Sequence, residues 1–149
     1  MKAISLWQPW ASLVVIGAKT WETRSWDTNY RGPLAIHAAK RWTPAQRDLI
    51  AQEPFKLALT TAGIYELPLG KVVGKVELTF TTQSPANGMI WLPHMDKPFV
   101  MHEPEQSFGD FSKGRFAWLL ENPECLGAPV PERGRQRFWT FAYPQGTEE

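Results

Sequence analysis

Strand-like segments separated by turn-forming residues dominate the chain, and no regular alternation of strand and helix connects them. Residues 20–26 and 34–39 have extended patterns, and the segment between them, residues 27–33, supplies Asp, Asn, Gly and Pro. Such a segment is typical of the turn in an antiparallel hairpin. Neighbouring parallel strands need a long crossover connection, which this spacing does not offer. The sequence therefore predicts a β-rich fold rather than a doubly wound parallel sheet.

Short helices are predicted between the strands. Pro9 suits the first position of a helix and Gly17 suits the residue after its end, so residues 10–16 are predicted to be helical. Thr43 and Gln46, with Pro44 next to the threonine, form a capping pattern that begins a second helix. That helix is predicted to run to residue 52, and another short helix is predicted over residues 55–61.

Three further strands complete the predicted architecture, over residues 72–81, 115–121 and 136–142. Gly74 is predicted to mark a bulge in the first of them. Together the elements predict a mixed α+β fold that is mainly β. Its form would be a small β-barrel of about five or six strands with short inserted helices.

The length of 149 residues is that of one ordinary domain. We expect a single domain over residues 1–143 and a polar C-terminal tail over residues 144–149. Residues 83–113 are irregular and rich in Pro, Gly, His and Met. Loops of this length are often functional or mobile, but the sequence assigns this one no role.

Charge and cysteine content restrict the partners of the chain. Lys and Arg total 16 against 15 for Asp and Glu, a net charge of +1, so any nucleic-acid site must be local. The single cysteine, Cys125, cannot form an internal disulfide, and three scattered histidines lack the spacing of a zinc site. We therefore expect no metal and no cofactor.

The apolar run over residues 13–16 is too short to span a bilayer, so we expect a cytoplasmic protein without a membrane partner.

The eight tryptophans give the chain an unusually large aromatic surface. Trp118 lies in an apolar strand and is predicted to be core. Trp7 and Trp10 flank a polar turn and are better candidates for stacking on bases. Cations lie near them in sequence, although such runs more commonly form a solvated face. These cations are Lys19, Arg24, Arg31, Lys40 and Arg41, with Arg133, Arg135 and Arg137 near the C-terminus.

Glu22 and Arg24 lie two positions apart in a predicted strand, which puts their side chains on one face. One interpretation is an ion pair that steadies the strand. The other is a binding site, in which arginine offers planar paired donors to a phosphate or base edge and glutamate accepts a hydrogen bond or moves a proton. Strand alternation places Lys19 opposite Glu22, unless the turn after Gly17 reorients it.

Other polar residues carry weaker signals. His37 lies near small alanines in a predicted strand, where a lone histidine is more often structural than a base, and it is a secondary candidate. Ser12 and Cys125 have no paired base that would activate them as nucleophiles. The acidic residues of the long irregular segment match no calcium loop and are predicted to be solvated. They are Glu103, Glu105 and Asp110.

The pattern Gly17-x-Lys19-x-x-Glu22-x-Arg24 resembles the signature of the ASCH family, which is named for its homology to activating signal cointegrator. The resemblance covers nearly the whole chain, and its matching blocks are residues 4–12, 24–32, 73–77 and 109–118. It implies a β-barrel similar to that of PUA domains, which bind RNA. It also implies that Lys19, Glu22 and Arg24 line a cleft between the barrel and the first helix.

Members of the family that the chain resembles do not share one activity. Some look like nucleic-acid-binding modules, some have been assigned ribonuclease activity, and a short-chain branch hydrolyses the acetyl amide of N4-acetylcytidine. In that branch a nucleophilic threonine stands three residues after the signature lysine, a position that Glu22 occupies here. Thr20 and Thr23 are off register, so the chain departs from the amidohydrolase pattern.

We predict an ASCH domain that binds RNA, single-stranded nucleic acid or a nucleoside in a cationic cleft walled by tryptophan. A carboxylate next to Arg24 and Lys19 stays charged and is a poor proton acceptor, which favours binding over catalysis. One alternative is a metal-independent hydrolase of RNA or a modified nucleoside, with Lys19 and Glu22 as catalytic residues. Another is a protein-docking module with an exposed apolar patch. The candidate binding residues are Trp7, Gln8, Trp10, Lys19, Glu22, Arg24, Arg31 and His37.

Overall fold

The computed structural model describes residues 1–145, which form eight strands and four short helices. The strands are β1 (Lys2–Leu6), β2 (Trp21–Arg24), β3 (Gly32–Ala38), β4 (Lys71–Gln83), β5 (Met89–Ile90), β6 (Phe99–Val100), β7 (Phe116–Pro131) and β8 (Trp139–Thr140). The helices are α1 (Trp10–Val15), α2 (Pro44–Ile50), α3 (Phe55–Thr61) and α4 (Glu105–Phe108). Residues 146–149 of the predicted tail lie outside the described residues.

Six strands form the main sheet, in the order β2-β7-β4-β3-β1-β8, and β5 pairs with β6 in a separate two-stranded sheet. In the main sheet β1 and β3 are parallel, and the other neighbouring pairs are antiparallel. The prediction of a mixed, mainly β fold with about six main strands and short inserted helices is confirmed. The strand order has β2 and β8 at its two ends.

The predicted hairpin between β2 and β3 is wrong. β2 pairs with β7, from Trp21 opposite Leu119 to Arg24 opposite Phe116. β3 instead lies between β1 and β4. Its residues Leu34–Ala38 are all buried, as expected of a strand covered on both edges and both faces. The turn residues 27–33 therefore bend the chain without pairing the two strands that they connect.

Helix α1 packs on the main sheet and covers the largest part of the core. Buried side chains from the helix and from strands β1, β3, β4 and β7 meet there, and Trp118 is fully buried among them, as predicted. The other members of this cluster include Ile4, Val14, Leu34, Ile36 and Leu78. Within residues 1–145, no helix has the length and apolarity needed to cross a membrane.

The capping pattern at the start of α2 is present as predicted. The Thr43 hydroxyl accepts a hydrogen bond from the backbone N–H of Gln46, and the Gln46 side chain accepts one from the backbone N–H of Thr43. Gly74 lies where the register of β4 shifts against β7, which confirms the predicted bulge. A Cβ atom at Gly74 would lie 2.1 Å from the carbonyl oxygen of Glu124, so the two strands approach too closely for a side chain.

Strands β7 and β8 differ most in length from their predictions. β7 continues to Pro131, ten residues beyond its predicted end at residue 121, because it follows β4 along its length through several register shifts. β8 is only two residues long and pairs with the first two residues of β1. The irregular segment 83–113 contains three short elements, β5, β6 and α4, which its sequence does not predict.

Candidate functional site

A cavity of about 340 Å³ opens where the end of β1, the start of α1, strand β2 and the start of β7 meet. We call it the basic cavity. It is lined by Ser5, Leu6, Trp7, Trp10, Lys19, Glu22, Thr23, Arg24, Phe108 and Arg115. Three of these side chains are cationic and one is anionic, so the lining carries a net positive charge.

Strand β2 supplies the acidic residue and one of the cations. Glu22 and Arg24 are two positions apart in β2 and both line the basic cavity, as alternation along a strand requires. Trp21, on the opposite face, packs into a separate apolar cluster with Ile90 and Phe111.

The turn before β2 brings Lys19 to the same cavity. Gly17 has a φ of +80°, a conformation that L residues rarely adopt, and the backbone N–H of Lys19 then donates to the carbonyl of Leu13. The Lys19 side chain is 1% exposed, and its Nζ donates a hydrogen bond to the carbonyl of Trp21. The turn therefore brings Lys19 to the cavity that Glu22 lines, against simple strand alternation.

Two arginines line the cavity together with Glu22: Arg24 from β2, and Arg115, the residue that precedes β7. Arg24 donates from Nη2 to the carbonyl of Ser5 at 3.3 Å, and Arg115 donates from Nη2 to the carbonyl of Thr23 at 3.1 Å. Burial lowers the pKa of the Arg24 guanidinium, the charge of Glu22 raises it, and the charge of Arg115 lowers it further. The guanidinium is therefore held in a poorly solvated position, where an added anion or carbonyl oxygen would stabilise its charge.

Three polar atoms in this group are buried without a hydrogen-bond partner among residues 1–145. They are Oε2 of Glu22, Nε of Arg24 and Nε of Arg115. The last of these lies 3.6 Å from Oδ2 of Asp110 in a salt bridge, whereas Glu22 and Arg24 have no salt-bridge partner among these residues. An unpaired buried polar atom costs about 1 to 3 kcal/mol, so native proteins keep few of them. A carboxylate acceptor and a guanidinium donor left unpaired beside one cavity form a surface complementary to a polar ligand.

Aromatic side chains form a wall of the basic cavity. Trp7 is 50% exposed, and the guanidinium carbon of Arg41 lies 4.6 Å from the centroid of its ring. Trp10 is fixed more firmly, because its Nε1 donates to the carbonyl of Phe108 at 2.7 Å and its ring meets Phe55 edge-on. Trp7 is thus the exposed aromatic surface, and Trp10 is part of the rigid support.

The sequence matches a family model described as the ASCH domain over residues 4–125. The chain belongs to the ASCH domain family. The resemblance seen in the signature residues is thereby confirmed.

Named relatives of this ASCH domain include the activating signal cointegrator 1 proteins of Mus musculus and Homo sapiens. Each is 30% identical to the chain over 140 residues, which is 91% of this chain and 21% of the relative. The chain thus spans about a fifth of the length of these curated relatives. Crystal structures of ASCH from Zymomonas mobilis are 18% identical with TM-scores of 0.44 to 0.45, and the matches cover 87% of this chain and 71 to 73% of theirs.

Of the eight candidate residues in the ASCH domain, five line the basic cavity: Trp7, Trp10, Lys19, Glu22 and Arg24. Gln8 and Arg31 do not. Gln8 is fully buried and bonds to the side chain and backbone of Ser12 and to the carbonyl of Pro68, so it fixes the start of α1. Arg31 donates to the carbonyls of Thr28 and Tyr30 and to the Thr81 hydroxyl, which holds the 27–33 turn.

His37 lies in a different cavity from the other candidates. Its Nδ1 is 2.9 Å from the Ser5 hydroxyl and its Nε2 is 2.8 Å from the carbonyl of Glu132. Since a carbonyl only accepts, Nε2 carries the proton and Nδ1 accepts from Ser5. Burial lowers the pKa of His37, with the Glu132 carbonyl and its carboxylate opposing the shift.

Sequence reasoning missed half of the lining: Ser5, Leu6, Thr23, Phe108 and Arg115. Arg115 and Phe108 come from a segment that is about ninety residues away along the chain from β2. The pairing of β2 with β7 brings Arg115 to the site, and the hydrogen bond from Trp10 to the Phe108 carbonyl holds Phe108 there. Strand alternation predicts Thr23 on the face opposite Glu22 and Arg24, and its backbone carbonyl, which accepts from Arg115, is the part that the sequence pattern could not place. Among residues 1–145, no group of three or more His, Cys, Asp or Glu side chains is arranged to hold a metal ion.

Proposed function

We propose that this ASCH domain binds single-stranded RNA by holding one nucleobase in the basic cavity. The observation that carries the proposal is the unpaired, buried Oε2 of Glu22 beside the unpaired Nε of Arg24 in one small cavity. A carboxylate accepts hydrogen bonds only, and a guanidinium donates them only. The pair therefore suits a ligand whose edge presents a donor next to an acceptor, which nucleobase edges do.

The base edge would be recognised by its amino group. The Glu22 carboxylate would accept from the exocyclic amino group of cytosine, adenine or guanine, and Arg24 would donate to the neighbouring ring nitrogen or carbonyl oxygen. Uracil has no exocyclic amino group and offers the carboxylate only its ring N3–H as a donor. Sequence-specific RNA recognition uses unpaired bases whose edges are free, which favours a single strand.

The size and aromatic wall of the cavity support a base-sized ligand. Its volume of about 340 Å³ is at the lower end of the range for small-molecule sites. The half-exposed Trp7 ring offers a stacking surface, and stacking of a base on an aromatic side chain is worth about 1 to 3 kcal/mol. Lys19 and Arg115 add positive charge to the lining, and Arg115 already pairs with Asp110, its Nε lying 3.6 Å from Oδ2.

The test is equilibrium binding of the four ribonucleosides and of short single-stranded RNA by calorimetry. Glu22→Gln removes the charge of the acceptor and changes its volume little. We expect this variant to bind amino-bearing nucleosides at least about tenfold less tightly, because a hydrogen bond to a charged group is worth about 1.5 to 3 kcal/mol. Glu121→Gln is the matched control, because Glu121 is exposed and does not line the cavity. Equal affinity in the wild type and Glu22→Gln would contradict the proposal.

The same protein samples also test the two alternative functions, hydrolysis and protein docking. Single-turnover incubation with short RNA and with N4-acetylcytidine would reveal cleavage. Robust wild-type cleavage that is lost in Glu22→Gln and in the similarly sized Lys19→Met, both confirmed to be folded, would replace binding by hydrolysis as the function. Cleavage that is equal in all three proteins would indicate a contaminating nuclease. Absence of binding to any nucleoside or RNA would favour the docking module.

A further inference from the structure

A second, larger cavity of about 810 Å³ adjoins the basic cavity. Its walls come from the end of β1, the end of β3 and the segment that follows β7. It is lined by Ser5, His37, Ala39, Lys40, Gly70, Pro131, Glu132, Arg133, Gly134, Arg135 and Gln136. Apart from the His37 ring, no lining side chain is aromatic, so this cavity offers little surface on which a base could stack.

Ser5 is the wall between the two cavities and lines both of them. Its carbonyl oxygen accepts from Arg24, which belongs to the basic cavity, while its hydroxyl bonds to His37, which belongs to the second. The two cavities therefore share one residue of β1. A ligand unit held in one cavity would be adjacent to a unit held in the other.

The second cavity is positively charged, and its cations are available to a ligand. Lys40, Arg133 and Arg135 have exposed side chains, and none of the three takes part in a salt bridge among residues 1–145. Glu132 is the one carboxylate in the lining, so three positive charges face one negative charge. His37 is buried and adds no charge while it is neutral.

The segment that carries the two arginines packs against Ser5 and His37. A Cβ atom at Gly134 would lie 2.7 Å from the Ser5 hydroxyl oxygen and 2.7 Å from Cε1 of His37. Gly134 thus packs directly onto the Ser5–His37 pair. Arg133 and Arg135 are its two neighbours along the chain, so this contact fixes the backbone between them at the edge of the cavity.

We infer that the second cavity binds the backbone phosphate next to the nucleotide whose base occupies the basic cavity. The inference rests on the proposed function and names its ligand more closely: a single strand of at least two nucleotides, rather than a free nucleoside. Arginine side chains without an acidic partner suit phosphate, because their planar donors match its oxygens. The lack of aromatic lining favours phosphate over a second base.

The test compares one nucleoside with the dinucleotide and the short single-stranded RNA that contain it. The double variant Arg133→Ala/Arg135→Ala removes two exposed cations, and Arg47→Ala/Lys56→Ala removes two exposed cations that line neither cavity. We expect the first variant to bind the nucleoside as the wild type does and to bind the dinucleotide and RNA at least about tenfold less tightly. The slope of log affinity against log salt should flatten by about 0.7 for each phosphate that the variant no longer neutralises.

Failure of this inference is distinguishable from failure of the proposed function. If Glu22→Gln weakens binding and the double arginine variant behaves like its control, the base site stands and the phosphate site is overturned. The same follows if the wild type binds the nucleoside and the dinucleotide equally well. If the wild type binds neither nucleoside nor RNA, both are overturned.

Discussion

The carboxylate of Glu105 holds Thr20 through two hydrogen bonds from a distance of 85 residues along the chain. Its Oε1 accepts from the Thr20 backbone N–H at 2.5 Å and from the Thr20 hydroxyl at 2.7 Å. Thr20 follows Lys19 and precedes β2, so this contact fixes the turn that brings Lys19 into the basic cavity. Glu105 begins α4, whose last residue, Phe108, lines the same cavity.

Glu105→Ala should therefore destabilise the protein, because both donors on Thr20 lose their acceptor. An unsatisfied buried donor costs about 1 to 3 kcal/mol, and we expect a loss in that range in the free energy of unfolding measured with urea. Gln106→Ala, at an exposed position of the same helix, should leave the unfolding free energy within about 0.5 kcal/mol of the wild type. Equal stability of the two variants would show that the contact contributes nothing.

The sequence predicts the local features of this fold, such as helix caps, but it does not predict which strands pair. The Thr43 capping box is recognisable because all its partners lie within four residues. The β2–β3 hairpin is wrong because turn chemistry fixes a bend and does not fix which strand β2 pairs with. Pairing with β7 depends on burying Trp21 and Ala117 in one cluster, which involves residues about a hundred positions apart.

The residues of the candidate site likewise divide into those that a local sequence pattern predicts and those that long-range pairing places. The common face of Glu22 and Arg24 is predictable from strand alternation alone. The position of Lys19 depends on the left-handed backbone of Gly17, which the sequence allows but does not require. Arg115 joins the site through the β2–β7 register, which no local pattern encodes. A local turn therefore decides the position of Lys19, and long-range strand pairing decides that of Arg115.

Trp7→Ala should weaken the binding of RNA without destabilising the protein much. The ring is half exposed, so its removal costs little core packing, whereas the loss of a stacked base is worth about 1 to 3 kcal/mol, roughly 5-fold to 150-fold in affinity. Trp91→Ala is the matched control, since Trp91 is 40% exposed and does not line either cavity. Fluorescence titration with short RNA measures both, and equal affinities would remove Trp7 from the interface.

Gly74→Ala should destabilise the domain strongly. The new Cβ would meet the Glu124 carbonyl oxygen at 2.1 Å and the side chain of Val15 at 2.9 Å, so both β7 and α1 would have to move. Overpacking of this kind costs about 1 to 3 kcal/mol or more. Gly127→Ala, where a Cβ meets nothing within 4 Å, is the control in thermal unfolding. A melting temperature for Gly74→Ala close to that of the control would mean that the strands separate easily at this bulge.

His37 should make the stability of the domain depend on pH. Burial lowers its pKa below the ordinary value of 6.5, so the folded state resists a proton that the unfolded state accepts. The contribution of neutral His37 to stability is fully present above the unfolded pKa. It is lost as the pH falls from about 6.5 through the lower pKa of the folded state. The Ser5 hydroxyl loses its acceptor when Nδ1 is protonated, which gives the penalty a structural cause.

The measurement is the free energy of unfolding of the wild type and His37→Gln at several pH values between about 7.5 and 5. Glutamine does not titrate, so the difference between the two proteins cancels the contributions of titratable groups that do not interact with His37. We expect the wild type to lose its advantage over His37→Gln steadily as the pH falls. A difference that stays constant across the range would show that His37 takes up a proton in the folded state as readily as in the unfolded state. In that case its contact with Ser5 would not require the neutral ring.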